Sequence, residues 1–334
     1  MLSITNLKEK SIEMNKKRVL LIAGGGTLGS YTAKELLKLG HSVDVICLED
    51  KVTNDPNLRF FKMEANVAAL AELLSKEHYD GIVNFLHYNT AEDYEPYHKL
   101  LSENTEHLIF LSSYRVYADE QHPITETAPM LLDVSKDEEF VKNEKYAISK
   151  AICEKFLKTA AYPKNWTVVR PVISFSALRF DLLMHSGDYV IKCAENKQPV
   201  YMPENAKELI AGIDWAGNSG KLIANLLFNP EAIGEAYTIS SSPDITWGKL
   251  ADIYHELTGA EIRWVEEESF LNIYPWLRED KGSFWRYVYD RCFDRAIDNT
   301  KVLKATGLCK KDFSTVKEGL QREIDIYYLG RNTK

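Results

Sequence analysis

The first patterned stretch, Arg18-Val-Leu-Leu-Ile-Ala23, is a run of apolar residues without polar alternation, and it ends in three glycines. A run of this kind predicts a strand buried on both faces. The period then changes. Over residues 27–39, Leu28, Ala33, Leu36 and Leu37 fall on one side of a helix, and Gly40 stops it. The same alternation recurs down the first half. Strands are expected at 43–48, 58–63 (an edge strand), 81–86, 108–112 and 167–170. Helices are expected at 67–76, around 91–102, and in one long stretch from about 138 to 160. Strands alternating with helices imply right-handed βαβ units and a parallel sheet covered on both faces. The fold class is therefore α/β, a Rossmann-type doubly wound parallel sheet.

The second half is less regular. It predicts helices at 214–227, 247–257 and 316–328 and short strands near 236–239 and 261–265, punctuated by Pro163, Pro171, Pro199, Pro203 and Pro243. No repeat or low-complexity linker separates it, so it is expected to pack on the sheet as a smaller, partly interleaved C-terminal α/β region. The expected division is a polar N-terminal extension over 1–16, a sheet domain over 17–172, and a remainder over 173–334. A part near 207–235 is expected to return to the first domain.

Composition changes the picture mainly by exclusion. The 334 residues include 41 Lys and Arg against 49 Asp and Glu, a formal charge of −8, with no basic stripe, which argues against a nucleic-acid partner. The first sixteen residues lack the apolar run of a signal peptide, and no stretch approaches the roughly 20 apolar residues of a membrane span. Five widely spaced cysteines with no Cys-x-x-Cys pair fit reduced thiols of a cytoplasmic protein. No His/Cys/Asp cluster has metal-ligand spacing, so no catalytic metal is expected.

Three local patterns carry chemistry. The first strand runs into Gly24-Gly25-Gly26-Thr27-Leu28-Gly29, which matches Gly-x-Gly-x-x-Gly at Gly24, Gly26 and Gly29. Between a strand and a helix, this is a dinucleotide signal, in which the backbone would approach a pyrophosphate at the positive end of the helix; glycines that simply terminate the strand are the alternative. Glu49 and Asp50, at the end of the second strand, are candidates to accept from the adenosine ribose hydroxyls, favouring NAD over NADP. A strict length match puts Cys47 at that position, and a solvated loop is the alternative.

The second pattern is Ser112-Ser113, which closes the strand at 108–112 on the carboxyl edge of the sheet, where ligands bind. The third is Tyr146-Ala-Ile-Ser-Lys150. Of the 18 tyrosines, Tyr146 alone has lysine four residues on. On a helix this spacing puts phenol and ammonium on one face, where the cation would favour the phenolate and could make a base; a solvated helix-face pair is the alternative.

Taken together, these motifs resemble the extended short-chain dehydrogenase/reductases, in particular the NAD-dependent epimerase/dehydratase family of nucleotide sugars. Further matching segments are Asp80 to His87, Ser112 to Tyr117, Arg170-Pro171, Gly212 to Trp215 and Asp294 to Lys301. The resemblance implies that Ser113 is the catalytic serine, Tyr146 the acid/base, and Lys150 the residue that lowers its pKa and holds the nicotinamide ribose. Gly24, Gly26, Thr27, Leu28, Gly29, Glu49, Leu86, His87 and Pro171 would contact NAD, with Tyr146 and Lys150.

Ile173 stands where many members carry an asparagine for the substrate diphosphate, so Arg286, Arg291 and Arg295 are the candidates for that task. Tyr114-Arg115 follow Ser113 where the family's dehydratases carry Asp-Glu, which disfavours water elimination. Epimerisation of a nucleotide sugar is the leading expectation, with 4-ketoreduction next; dehydration or a non-catalytic dinucleotide binder follows. The resemblance also implies a homodimer through the helix bearing Tyr146 and the one near 91–102.

Overall fold

The computed structural model describes residues 16–332; residues 1–15 of the expected extension lie outside them. The first half runs β1 (Arg18–Ile22), α1 (Thr27–Lys38), β2 (Ser42–Cys47), β3 (Leu58–Lys62), α2 (Val67–Lys76), β4 (Gly81–Asn84), α3 (Ala91–Ser102) and β5 (His107–Leu111). Then come α4 (Leu131–Val134), α5 (Glu138–Asn143), α6 (Ala147–Thr159) and β6 (Trp166–Pro171). The second half holds β7 (Ile173–Phe175), β8 (Asp181–Leu182), β9 (His185–Ser186), α7 (Gly187–Glu195), β10 (Val200–Pro203), β11 (Ile213–Trp215) and α8 (Ala216–Leu226). It continues with β12 (Ala236–Ile239), α9 (Trp247–Thr258), β13 (Ile262–Val265), α10 (Glu267–Ile273), α11 (Trp276–Glu279), α12 (Lys281–Arg286), α13 (Thr300–Thr306) and α14 (Val316–Asn332).

Seven strands form one parallel sheet in the order β12-β6-β5-β4-β1-β2-β3. Side chains alternate across it, and each face has its own core. Val19, Leu21, Val43, Val45, Val83 and Ile109 meet α1 and α8 on one side. Leu20, Ile22, Ile82, Leu108 and Phe110 meet α2, α3 and α6 on the other. The second half thus supplies both a strand of the sheet, β12, and a helix, α8, that covers it. α8 lies very close to α1, because a Cβ on Gly220 would fall 2.6 Å from the Tyr31 carbonyl carbon. A third core, around Phe175, Leu182, Met202, Trp247 and Tyr254, fills the smaller region beyond the strand ends. Among the described residues, no helix is long and apolar enough to cross a membrane.

One expectation is corrected. The long helix at 138–160 is two helices, α5 and α6, broken at residues 144–146. The cause is Glu144, whose Oε2 accepts from the backbone N–H groups of Tyr146 (2.9 Å) and Ile148 (3.1 Å). A continuous helix would bond those amides to carbonyls one turn back. The carboxylate takes them instead, at the positive end of α6, where a negative charge is favourable. Tyr146 is therefore the N-cap residue of α6, with φ −121° and ψ −67°, and does not lie on a helix face above Lys150.

Candidate active site

The glycine turn joins β1 to α1 at the carboxyl edge of the sheet. Its one left-handed residue is Ala23, with φ 55°, so Gly24, Gly25 and Gly29 serve for closeness and not for φ. A Cβ on Gly29 would lie 2.3 Å from the Gly24 carbonyl oxygen, and one on Gly24 would lie 2.7 Å from Leu21 Cβ. The turn is consequently pressed against its own helix. No side chain caps the N-terminus of α1, whose cap is Gly26, leaving first-turn amides and the helix dipole to an anion. Thr27 Oγ1 shares a hydrogen bond of 3.0 Å with Ser176 Oγ, which brings the loop after β7 against this helix end.

Beyond β5, Ser113 caps a single 3₁₀ turn by accepting from the Arg115 N–H at 3.2 Å. Ser112 points the other way, into the protein, and donates to Glu154 Oε1. The Tyr146 ring, 37% exposed, stacks on His87 with ring centres 5.5 Å apart, and the Arg115 guanidinium carbon lies 4.9 Å from its centre. Arg115 in turn reaches Glu144 and Asp290, each at 3.4 Å.

Lys150, one turn into α6, is 1% exposed and donates to the carbonyls of Leu86 (3.2 Å) and Leu111 (2.6 Å), where β4 and β5 end. Burial lowers its pKa to about 8, from an ordinary value of 10.5. Desolvation and the nearby Lys150 charge likewise hold His87 below its ordinary value.

The lysine shift has a measurable sign. Between about pH 8 and 10.5 the unfolded chain keeps the proton that folded Lys150 has lost, so stability rises with pH across that window and levels off above it. Urea unfolding of the wild type and of Lys150→Met at pH 7.5 and 9.5 checks this. The wild type is expected to gain stability relative to the variant at the higher pH, and a difference that does not change with pH refutes the assignment.

Most of these groups, though neither Lys150 nor His87, converge on one cavity of about 460 Å³. It is lined by Gly26, Thr27, Leu28 and Gly29 from the turn and α1, by Ser112, Ser113, Tyr114, Arg115 and Tyr146, and by Pro171 to Ser174. Ala23, Phe85, Leu111, Arg179, Arg286 and Arg291 complete the lining. The glycine turn, the serine and tyrosine hydroxyls and a set of arginines thus share one space. The sequence model of the NAD-dependent epimerase/dehydratase family matches residues 20–210, more than half of the chain and all of this edge of the sheet up to β10. The chain belongs to that family.

Individual relatives of this epimerase/dehydratase chain agree with the fold. A UDP-glucose 4-epimerase of Lacticaseibacillus casei is 27% identical over 185 residues, 48% of this chain and 50% of that protein. The match therefore spans about half the length of that relative. An epimerase of Methanothermobacter thermautotrophicus superposes with a TM-score of 0.68 at 17% identity, covering 95% of this chain and 94% of its own. The Bordetella bronchiseptica enzyme WbmG, solved with NAD, gives 0.67 at 15% identity, covering 94% and 95%. NAD is the cofactor of the family, and the uncapped α1 with its close glycine turn fits a pyrophosphate.

The other candidate residues fall in different places. Leu86 offers its carbonyl to Lys150, and His87 stacks on Tyr146; neither lines the cavity, whereas Phe85 does. Glu49 is exposed beside the turn, 3.0 Å from where a Cβ on Gly25 would sit, and Lys51 donates to the Gly25 carbonyl at 2.6 Å. An acid and an ammonium thus flank the glycines where the ribose is expected.

Of the three arginines, Arg286 and Arg291 line the cavity. Arg295 does not: it is 1% exposed and donates to the carbonyls of Tyr117 and Tyr289 and to Asp290, which makes it a brace behind the site and removes it as a diphosphate ligand. Arg179 and Glu144 were not found from the sequence, which carries no signal for either. Arg115 follows Tyr114 in the Ser112–Tyr117 segment, where the sequence by itself shows only that no acid occupies the position.

Proposed function

We propose that the protein is an NAD-dependent epimerase of a nucleotide sugar, with Tyr146 as its acid/base. The observation that carries this reading is the shared cavity, in which a dinucleotide turn, two hydroxyls and paired cations face one another. The glycine turn and the open end of α1 would hold NAD, which would supply a reversible hydride acceptor for a sugar carbon. Tyr146 removes the proton of the hydroxyl on that carbon and restores it after the ketone has turned over. Ser113 holds the same oxygen. Its own oxygen is engaged by the Arg115 amide, which leaves the hydroxyl proton to donate.

Lys150 fixes the backbone on which this happens, since its two acceptors are the ends of β4 and β5. Arg286 and Arg291 hold the substrate diphosphate. Elimination of water is disfavoured by the lining itself, which contains no Asp or Glu to protonate a leaving hydroxyl.

Purified protein is expected to retain NAD and to interconvert the two epimers of a UDP-, GDP-, CDP- or dTDP-sugar with no net change in cofactor, followed by chromatography of the sugar nucleotides. Stoichiometric loss of NADH or NADPH would replace this reading by that of a 4-ketoreductase.

A further inference from the structure

The cavity wall is rich in positive charge. Arg115, Arg179, Arg286 and Arg291 line it, and the carboxylates that face them lie behind, among them Asp181, 2.8 Å from Arg179 and 3.8 Å from Arg291. Asp290 is shared by Arg291 at 2.5 Å, Arg115 at 3.4 Å and Arg295 at 3.4 Å. Burial alone would raise its pKa, but the three guanidiniums, Arg291 foremost, hold it below the ordinary carboxylate range. Glu144 also faces Arg115, at 3.4 Å, while its other oxygen is committed to two amides of α6. Arg286 has a buried Nε without a hydrogen-bond partner, and burial, then the charges of Arg291 and Arg115, push its pKa down. The three arginines are therefore close enough to repel one another, and Arg286 is incompletely neutralised by the protein, whereas Arg291 is paired with Asp290 and Asp181 and donates to the Leu183 carbonyl and the Tyr114 hydroxyl.

Arg286 and Arg291 are accounted for by a diphosphate. Arg115 is not, because it sits at the reacting end: its N–H is on Ser113 Oγ and its guanidinium is on the Tyr146 ring. Its Nε also lacks a hydrogen-bond partner, and both of its acids are at ion-pair distance and too long for a tight fork. A neutral sugar placed there would desolvate this cation and return little. A carboxylate would meet it in the planar, two-point geometry that guanidinium prefers.

We propose that Arg115 recognises a carboxylate on the reacting sugar, so that the substrate is a nucleotide-linked sugar acid and not a neutral hexose. The proposal rests on the nucleotide-sugar reading above and adds to it the charge of the sugar.

The test is calorimetric titration of the NAD-loaded protein with matched neutral and acid forms, UDP-glucose against UDP-glucuronate and GDP-mannose against GDP-mannuronate. The wild type is expected to bind the acid of one pair at least about tenfold tighter than its neutral partner, the size of a charge-assisted contact. Arg115→Gln is expected to bring that ratio within about twofold, and Arg115→Lys to keep an intermediate preference. NAD affinity, measured on each variant, controls for folding; where Arg115→Gln fails to hold NAD, the wild-type ratio and Arg115→Lys decide. Equal wild-type affinity for acid and neutral forms overturns the proposal alone, as does a Gln variant that weakens both forms equally. If protein that retains NAD binds no member of either pair and no CDP- or dTDP-sugar, the nucleotide-sugar reading falls, and this proposal with it.

Discussion

Tyr146→Phe is expected to lower turnover of a nucleotide sugar by about 10²–10⁴-fold, the usual contribution of a positioned acid/base, while NAD binding stays close to that of the wild type. The structure gives reasons for both halves. Phenylalanine keeps the ring that stacks on His87 and lies under the Arg115 guanidinium, so the neighbouring surfaces remain in place. The glycine turn and the open end of α1 are on other elements and are untouched. What disappears is one hydroxyl facing the cavity. Steady-state rates and equilibrium NAD binding, measured on the same preparations, check it. Turnover within a few-fold of the wild type would remove Tyr146 from the chemistry and transfer the proton to another group, of which His87 is the nearest titratable neighbour stacked on it.

The second large effect is on stability. Arg170, at the end of β6, and Glu154, one turn after Lys150 on α6, form an ion pair with both side chains fully buried and the closest approach at 2.5 Å. Glu154 accepts further from Arg170 Nε and from Ser112, and Arg170 also donates to the Tyr117 hydroxyl (2.6 Å) and the Glu126 carbonyl (2.9 Å). Every strong group in this cluster is satisfied by another member. Arg170→Met would leave a buried carboxylate without its cation and is expected to cost about 3–5 kcal/mol, read as a lower urea midpoint at unchanged slope. A loss below about 1 kcal/mol, the range of exposed pairs, would show that water reaches the cluster. The pair also links the helix of Lys150 to the strand end next to Pro171, so the destabilised protein is expected to bind NAD less tightly as well.

The sheet was legible because its signals are local. Uninterrupted apolar runs such as residues 18–22, amphipathic spacing such as Leu28, Ala33 and Leu36, and stopping glycines each act within a dozen residues, and all of the first-half strands and the helices α1 to α3 follow them closely. The break before α6 was not legible, because it depends on one carboxylate, Glu144, winning two amides from the helix ladder, and a charged stretch does not show which acid will do so. The fates of the three late arginines were hidden for a similar reason. Directly after α12 the backbone widens into a π turn over Tyr287–Arg291, and this turn sends Arg291 to the cavity and Arg295 to Asp290 behind it. Spacing along an irregular segment carries no face. Arg115 was visible as a residue, but its meaning needed the positions of Tyr146 and Asp290, which come from distant parts of the chain.

The cofactor edge also has a timetable. Glu323 on α14 accepts from the Tyr31 hydroxyl of α1 and from the Trp215 indole, and its second oxygen takes the Ala177 N–H, in the loop that touches Thr27. Tyr31 and Glu323 are 292 positions apart. A ribosome adding about 5–20 residues per second completes the glycine turn roughly 15–60 s before it delivers the carboxylate that fastens the turn's helix to the loop beside it. During that interval the nascent chain carries the turn without its fastening.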